Sequence, residues 1–193
     1  SRGKTTAVKN LLVRQWPPFE KFVVIYPGGH EGTSEYDDVM GKQVEIVSEI
    51  PPTEWWPTIK DGAVKTLVVI DDFELKGLSK VARGRLDRLV GHVSTHRNVS
   101  VFLCSQNFYN IPPIARRCAN LYILWKPRDM QSLASVSARV GVDLQSMFKL
   151  TREEHDSIWV DLTPRTRAPL RLNGYVELET VGEGADGQVE EEE

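Results

Sequence analysis

The sequence predicts an α/β fold: a mainly parallel sheet flanked by helices. Three observations predict it. Four segments, FVVIY at 22–26, TLVVI at 66–70, VSVFLC at 99–104 and NLYILW at 120–125, are almost continuously apolar, as strands buried on both faces are. Stretches with helical spacing of apolar residues separate several of them, and strands alternating with helices build a parallel sheet covered on both sides. The length of 193 residues suffices for one sizeable core and is short for two.

The elements follow in order. Residues 5–15 read as a helix, with Val8, Leu11 and Leu12 on one face, ended by Trp16-Pro17-Pro18. The first buried strand, 22–26, is closed by Pro27-Gly28-Gly29. A polar stretch runs from 30 to 57, with a short strand expected at 44–47. Its Trp55-Trp56 pair is placed to cover an edge of the core. The strand at 66–70 is followed by a helix over 76–94, whose Leu78, Val81, Leu86, Leu89, Val90 and Val93 cluster between Lys and Arg residues. After the strand at 99–104, Ile111-Pro112-Pro113 opens a short helical piece before the strand at 120–125. Two helices, 129–140 and 143–150, are split by Gly141, and a terminal β-hairpin is expected from 158–162 and 169–172.

Hydrophobic residues make up 40% and charged residues 26%, which excludes disorder throughout, collagen and coiled coil. No apolar run approaches the roughly 18 residues of a membrane span, so no membrane partner is expected. Cys104 and Cys118 form no disulfide framework and no CxxC pair, a usage that suits an intracellular compartment. The net charge of −3 is unevenly placed: 177–193 holds eight acidic residues and no basic one. Without them 24 basic side chains face 19 acidic ones, a mildly basic body. The expected organisation is one domain over 1–174 and an acidic tail over 175–193 with too little apolar surface to fold alone.

Three motifs carry chemistry. Gly3-Lys4-Thr5-Thr6 opens the first helix, and Gly-Lys-Thr is the end of the phosphate-binding pattern GxxxxGK[ST]. Backbone N–H groups at a helix start face an anion. Gly3 admits close approach, Lys4 reaches the outer phosphates, and the Thr5 hydroxyl suits Mg2+. Taken alone, the triplet also fits a basic helix cap. The strand at 66–70 then ends in Asp71-Asp72. In phosphate-loop enzymes such a strand brings one Asp to magnesium, and a neighbouring acid polarises the attacking water. Asp71 is assigned to the metal and Asp72 to the base. Ser105-Gln106-Asn107 follows the next strand, and Gln106 is placed to touch the γ-phosphate or orient water.

Together with His96-Arg97-Asn98 leading into the strand that ends at Gln106, these parts resemble the FtsK–HerA superfamily of ATPases. The nearest branch is the DNA-packaging ATPases of poxviruses and polinton-like viruses. Ile111-Pro112-Pro113 through Arg116 and the strand ending Trp125-Lys126 also resemble that branch, so the likeness covers about residues 1–150. The resemblance implies a P-loop NTPase of RecA/ASCE type. It implies a homo-oligomeric, hexameric ring that hydrolyses ATP with Mg2+ and drives double-stranded DNA into a capsid, with portal or vertex proteins as further partners. It also implies a strand order in which the Gln106 strand lies between the phosphate-loop strand and the Asp71-Asp72 strand. The first glycine of the loop and the strand before it would precede Ser1, so the chain is expected to be part of a longer product, inactive by itself. Where the family often reads Arg-His, this chain reads His96-Arg97, so Arg97, Arg116 and Arg117 compete for the arginine supplied to a neighbouring subunit.

Other readings stay open at this point: another translocase of the superfamily, a small-molecule kinase, or a non-catalytic nucleotide-binding adaptor. Lys76, Lys80, Arg83, Arg85 and Arg88 lie on or near one predicted helix. They suit phosphate neutralisation or a solvated face. His30, His92 and His155 lack metal-ligand spacing.

Overall fold

The computed structural model describes residues 4–14, 18–27, 44–56, 64–71, 74–126, 130–153, 155–164, 166–167 and 169–178; for Thr5, residues 11–14 and Met130 it describes the backbone alone. The chain divides into two compact units at 119/120.

The first unit is built on a four-stranded parallel sheet. Its strands are β1 (Lys21–Ile25), β2 (Val44–Val47), β3 (Thr66–Ile70) and β4 (Val99–Leu103), in the order β2-β1-β3-β4. The apolar runs explain that order. Every residue of β3 is buried, as are four of five in β1, so these two take the centre, where both faces are covered. The edge strand β2 is half-buried throughout, and in β4 only Val99 is buried. Registers are regular: Ile25 pairs with Ile70, and Ile70 with Leu103. β4 pairs with β3 alone among the described residues.

Each face of the sheet has its own core. On one, Phe22, Val24, Leu67 and Val69 pack with Phe19, Cys104 and Val8 of α1 (Lys4–Arg14). On the other, Val23, Ile25, Val68 and Ile70 pack with Ile50, Trp56, Leu75 and the buried side of α2 (Lys80–Arg88). Alternate strand residues point to opposite faces, which is why the odd and even members of FVVI separate so cleanly. Ser79 caps α2, its hydroxyl accepting from Ala82 N–H at 3.1 Å. The single helix expected over 76–94 proves composite: α2 runs into a π turn at Leu89–Val93 and a last α turn at Ser94–His96. Leu86, Leu89, Val90 and Val93 all stay buried through the change of pitch. Beyond a 3-10 turn at Phe108–Asn110, Pro113 opens α3 (Pro113–Cys118), as its fixed φ and missing N–H favour.

The second unit corrects the partnership expected for the fourth apolar strand. Among the described residues β5 (Leu121–Trp125) joins no parallel sheet. It heads an antiparallel one with β6 (Ser157–Asp161), β7 (Leu170–Leu172) and β8 (Val176–Glu177), in the order β5-β6-β7-β8. The predicted hairpin is β6–β7, pairing Ile158 with Leu172. β8 extends it, and Leu178 N–H donates to Leu170 O at 2.9 Å. The first residues assigned to the acidic tail thus lie in a sheet, and 179–193 lie outside the described residues. Between β5 and β6 come α4 (Met130–Val140) and α5 (Leu144–Met147). Gly141, at φ +72°, ends α4. Asp143 caps α5, accepting from the N–H groups of Gln145 and Ser146.

Candidate active site

A parallel sheet sends all its strand ends to one side, and ligands of open α/β sheets bind there. At that side Asp71 follows β3 and Cys104 follows β4. The ladder continues one step past each strand: Asp71 N–H donates to Ile25 O at 3.2 Å, and Cys104 N–H to Ile70 O at 2.9 Å. The backbones of Asp71 and Cys104 are therefore neighbours across one strand spacing, about 4.8 Å. Asp71 is 5% exposed, a buried carboxylate directly after the buried apolar residues Leu67, Val68, Val69 and Ile70. Asp72 lies outside the described residues.

Two residues beyond Cys104, Gln106 sits on a turn that its neighbours tie down. Ser105 Oγ donates to Asn107 O at 2.8 Å and accepts from Asn107 N–H at 3.2 Å. Asn107 Oδ1 accepts from Tyr109 N–H at 2.8 Å, which caps the following 3-10 turn. Ser105 and Asn107 are consumed by the turn. Gln106 is exposed, and its amide makes no hydrogen bond among the described residues. A polar side chain on a fixed turn, two residues past the neighbour of a buried carboxylate, can meet a ligand without first breaking a bond of its own.

α1 begins at Lys4 and has no acidic residue in its first turn, so nothing there opposes an anion at the positive helix end. Val8 is fully buried in the cluster that contains Cys104. That cluster holds α1 on one face of the sheet. Lys4 is half-buried and Thr6 exposed, while Gly3 and the Thr5 side chain lie outside the described residues.

The three arginines occupy different settings. Arg97 Nη1 donates to Thr53 O at 2.8 Å and to Trp56 O at 2.6 Å, so it ties the end of the α2 region to the turn at Thr53–Trp55. Arg116, on α3, stacks its guanidinium over the Phe108 ring at 5.0 Å. Arg117 is exposed on the same helix. The sequence carries no local sign of the Arg97 strut, because its partners lie 44 and 41 residues away and offer only backbone oxygens. Among the described residues no group of three or more His, Cys, Asp or Glu is arranged to hold a metal, and no helix is long and apolar enough to cross a membrane.

A four-stranded parallel sheet flanked by helices is a fold this chain shares with solved nucleoside-triphosphatases. The genome-packaging NTPase B204 of Sulfolobus turreted icosahedral virus 2, in complex with AMPPCP, superposes with a TM-score of 0.58 at 18% identity, over 88% of this chain and 92% of that one. The same protein in complex with AMP gives 0.54 at 17% identity, over 89% and 93%. B204 of Sulfolobus turreted icosahedral virus, a DNA-packaging ATPase, gives 0.56 at 16% identity, over 88% and 93%. No family model and no curated protein matches the sequence.

Proposed function

We propose that the chain is an ATP-hydrolysing DNA translocase of the genome-packaging kind, acting as a homo-oligomeric, hexameric ring with capsid portal or vertex proteins as further partners. The observation that carries this reading is the convergence at one end of the parallel sheet. A buried Asp71 directly follows β3 and an exposed Gln106 lies on the turn three residues past the neighbouring β4, on a fold shared with nucleotide-bound packaging NTPases.

In this reading Gly3, Lys4, Thr5 and Thr6 hold the nucleotide phosphates. Asp71 and the Thr5 hydroxyl are hard oxygen donors of the type Mg2+ takes, and the ion, when bound, offsets negative charge on the phosphate oxygens. Asp72 accepts the proton of the attacking water, and Gln106 orients that water toward the γ-phosphate. Arg97 is already committed to two carbonyls of its own chain. Arg116 and Arg117 of α3 stand beside it as candidates for the arginine that reaches a neighbouring subunit's nucleotide.

The test is ATP turnover with and without duplex DNA. Hydrolysis that needs magnesium and rises with duplex supports the translocase. Turnover only with a small-molecule acceptor, or none with nucleotide still bound, would replace it with a kinase or an adaptor.

A further inference from the structure

The outer face of α2 carries charge that the hydrolytic residues do not use. From 76 to 97 the sequence has six basic side chains and one acidic one, Asp87. Lys80, Arg83 and Arg88 are exposed, and none has a side-chain ion pair or hydrogen bond among the described residues. Arg85 is partly engaged, with Glu49 at 3.4 Å and Ile50 O at 3.2 Å. Lys80, Gly84 and Arg88 follow at four-residue spacing. They form one row along the helix, about 12 Å from first to last at 1.5 Å per residue.

Gly84 is a second, independent observation. Glycine inside a helix is less stable than alanine, so it needs a reason. Nothing lies within 4 Å of the position its Cβ would take, so no described neighbour in this chain supplies one. The bare backbone opens instead onto a groove of about 260 Å³, walled by Thr53 and Glu54 on one side and Lys80, Arg85 and Arg88 on the other. Glu54 is the one acid against three cations in that lining.

We infer that this row binds the sugar–phosphate backbone of duplex DNA, with Lys80 and Arg88 each on a phosphate and Gly84 admitting the strand against the helix. Duplex DNA presents one negative charge per about 1.7 Å of axis, a regular polyanion that suits two cations on either side of open backbone. The choice of partner rests on the translocase reading above.

The experiment is a salt titration of a short fluorescein-labelled duplex by anisotropy, without nucleotide, so that DNA binding and ATP turnover are read separately. Each phosphate contact adds about 0.9 to the slope of log affinity against log salt. Lys80→Gln with Arg88→Gln is expected to lower the slope by about 1.8 and weaken binding roughly 50-fold at 0.1 M salt. At Gly84→Leu the added Cβ meets nothing within 4 Å and the helix loses a glycine, so its thermal midpoint should hold or rise. Its affinity should fall by about fivefold or more, with the slope unchanged because no charge is removed. Lys149→Gln with Arg152→Gln removes the same charge from exposed sites of the second unit and serves as the control. Variants of α2 that bind like the wild type, or no worse than the control, would overturn the inference. Such a result alongside normal ATP turnover would leave the hydrolase reading standing. Loss of turnover with duplex binding still dependent on Lys80 and Arg88 would do the reverse.

Discussion

Replacing Arg97 with alanine is expected to loosen the fold rather than remove a catalytic group. The guanidinium donates at 2.8 Å to Thr53 O and at 2.6 Å to Trp56 O, both in its own chain. Hydrogen bonds from charged donors contribute about 1.5–3 kcal/mol each. Arg97 is partly exposed and keeps some hydration, so the lower end of that range applies, and losing both bonds costs about 3 kcal/mol. For a chain of this size that lowers the thermal midpoint by about 6–12 °C. The reporter is built in: Trp55 and Trp56 sit edge to face at 4.7 Å on the segment that Arg97 holds, and Trp56 is 2% exposed. Urea unfolding followed by tryptophan fluorescence gives the stability change. Arg97→Lys, which keeps the charge but not the fork, should recover part of it. A loss below about 0.5 kcal/mol together with a turnover drop of about 10³-fold would refute the reasoning, because that pair of results belongs to an arginine acting on nucleotide.

Gln106→Ala is expected to lower maximal turnover more than nucleotide affinity, since its exposed amide is assigned to water and the γ-phosphate; equal turnover with weaker binding would contradict the assignment. Asp156 accepts from Asn173 Nδ2 at 2.7 Å, then from the N–H groups of Glu153 and Arg152, and these bonds hold its carboxyl below the ordinary 3.8. A lowered folded-state value gives stability that is full above about 3.8 and fades as pH falls through the lowered value. Unfolding midpoints across that acid range should therefore fall more steeply for the wild type than for Asp156→Ala, and parallel curves would reject the linkage. Gly141 and Gly174 both have positive φ, +72° and +84°. Only at Gly174 would a Cβ meet another group, the Trp159 ring at 3.1 Å. Gly141→Ala should cost about 1–2 kcal/mol and Gly174→Ala more, with a change in Trp159 emission; equal costs in urea titrations would count against the contact.

The strands were legible because continuous apolar runs of five residues have few other uses. TLVVI at Thr66–Ile70 forms a strand with the predicted boundaries, and so does the shorter, Glu-containing VEIV at Val44–Val47. Partnership was not legible. NLYILW and VSVFLC look alike as runs, yet β4 lies parallel beside β3 and β5 antiparallel beside β6. An apolar run states that a strand is covered, not by which neighbour. The π turn at Leu89–Val93 was hidden for a related reason. Leu89, Val90 and Val93 satisfy an α-helical face and a π turn equally well, and packing decides between them. Of the candidate site, the sequence shows Asp71 and Gln106 as polar residues just past apolar strands, whereas the Arg97 strut depends on backbone oxygens that no motif encodes.

The proposed metal ligand and the proposed DNA row belong to one continuous stretch of chain. Asp71 directly follows β3, and Lys80 opens α2 nine residues later. Between them Leu75 is 2% exposed and belongs to the same core cluster as Leu86, Leu89 and Val90. Ser79 then fixes the start of α2 through its cap on Ala82. The connection thus has a buried anchor and a capped helix start, and close-packed interiors pass displacement on instead of absorbing it. A pull on Asp71 as the charge beside it changes would act on a segment already locked to the buried side of α2. The opposite side of that helix carries Lys80, Gly84 and Arg88. On this geometry the nucleotide need not signal to DNA across the molecule: the helix next in sequence after the proposed metal ligand is itself the surface proposed to hold the strand.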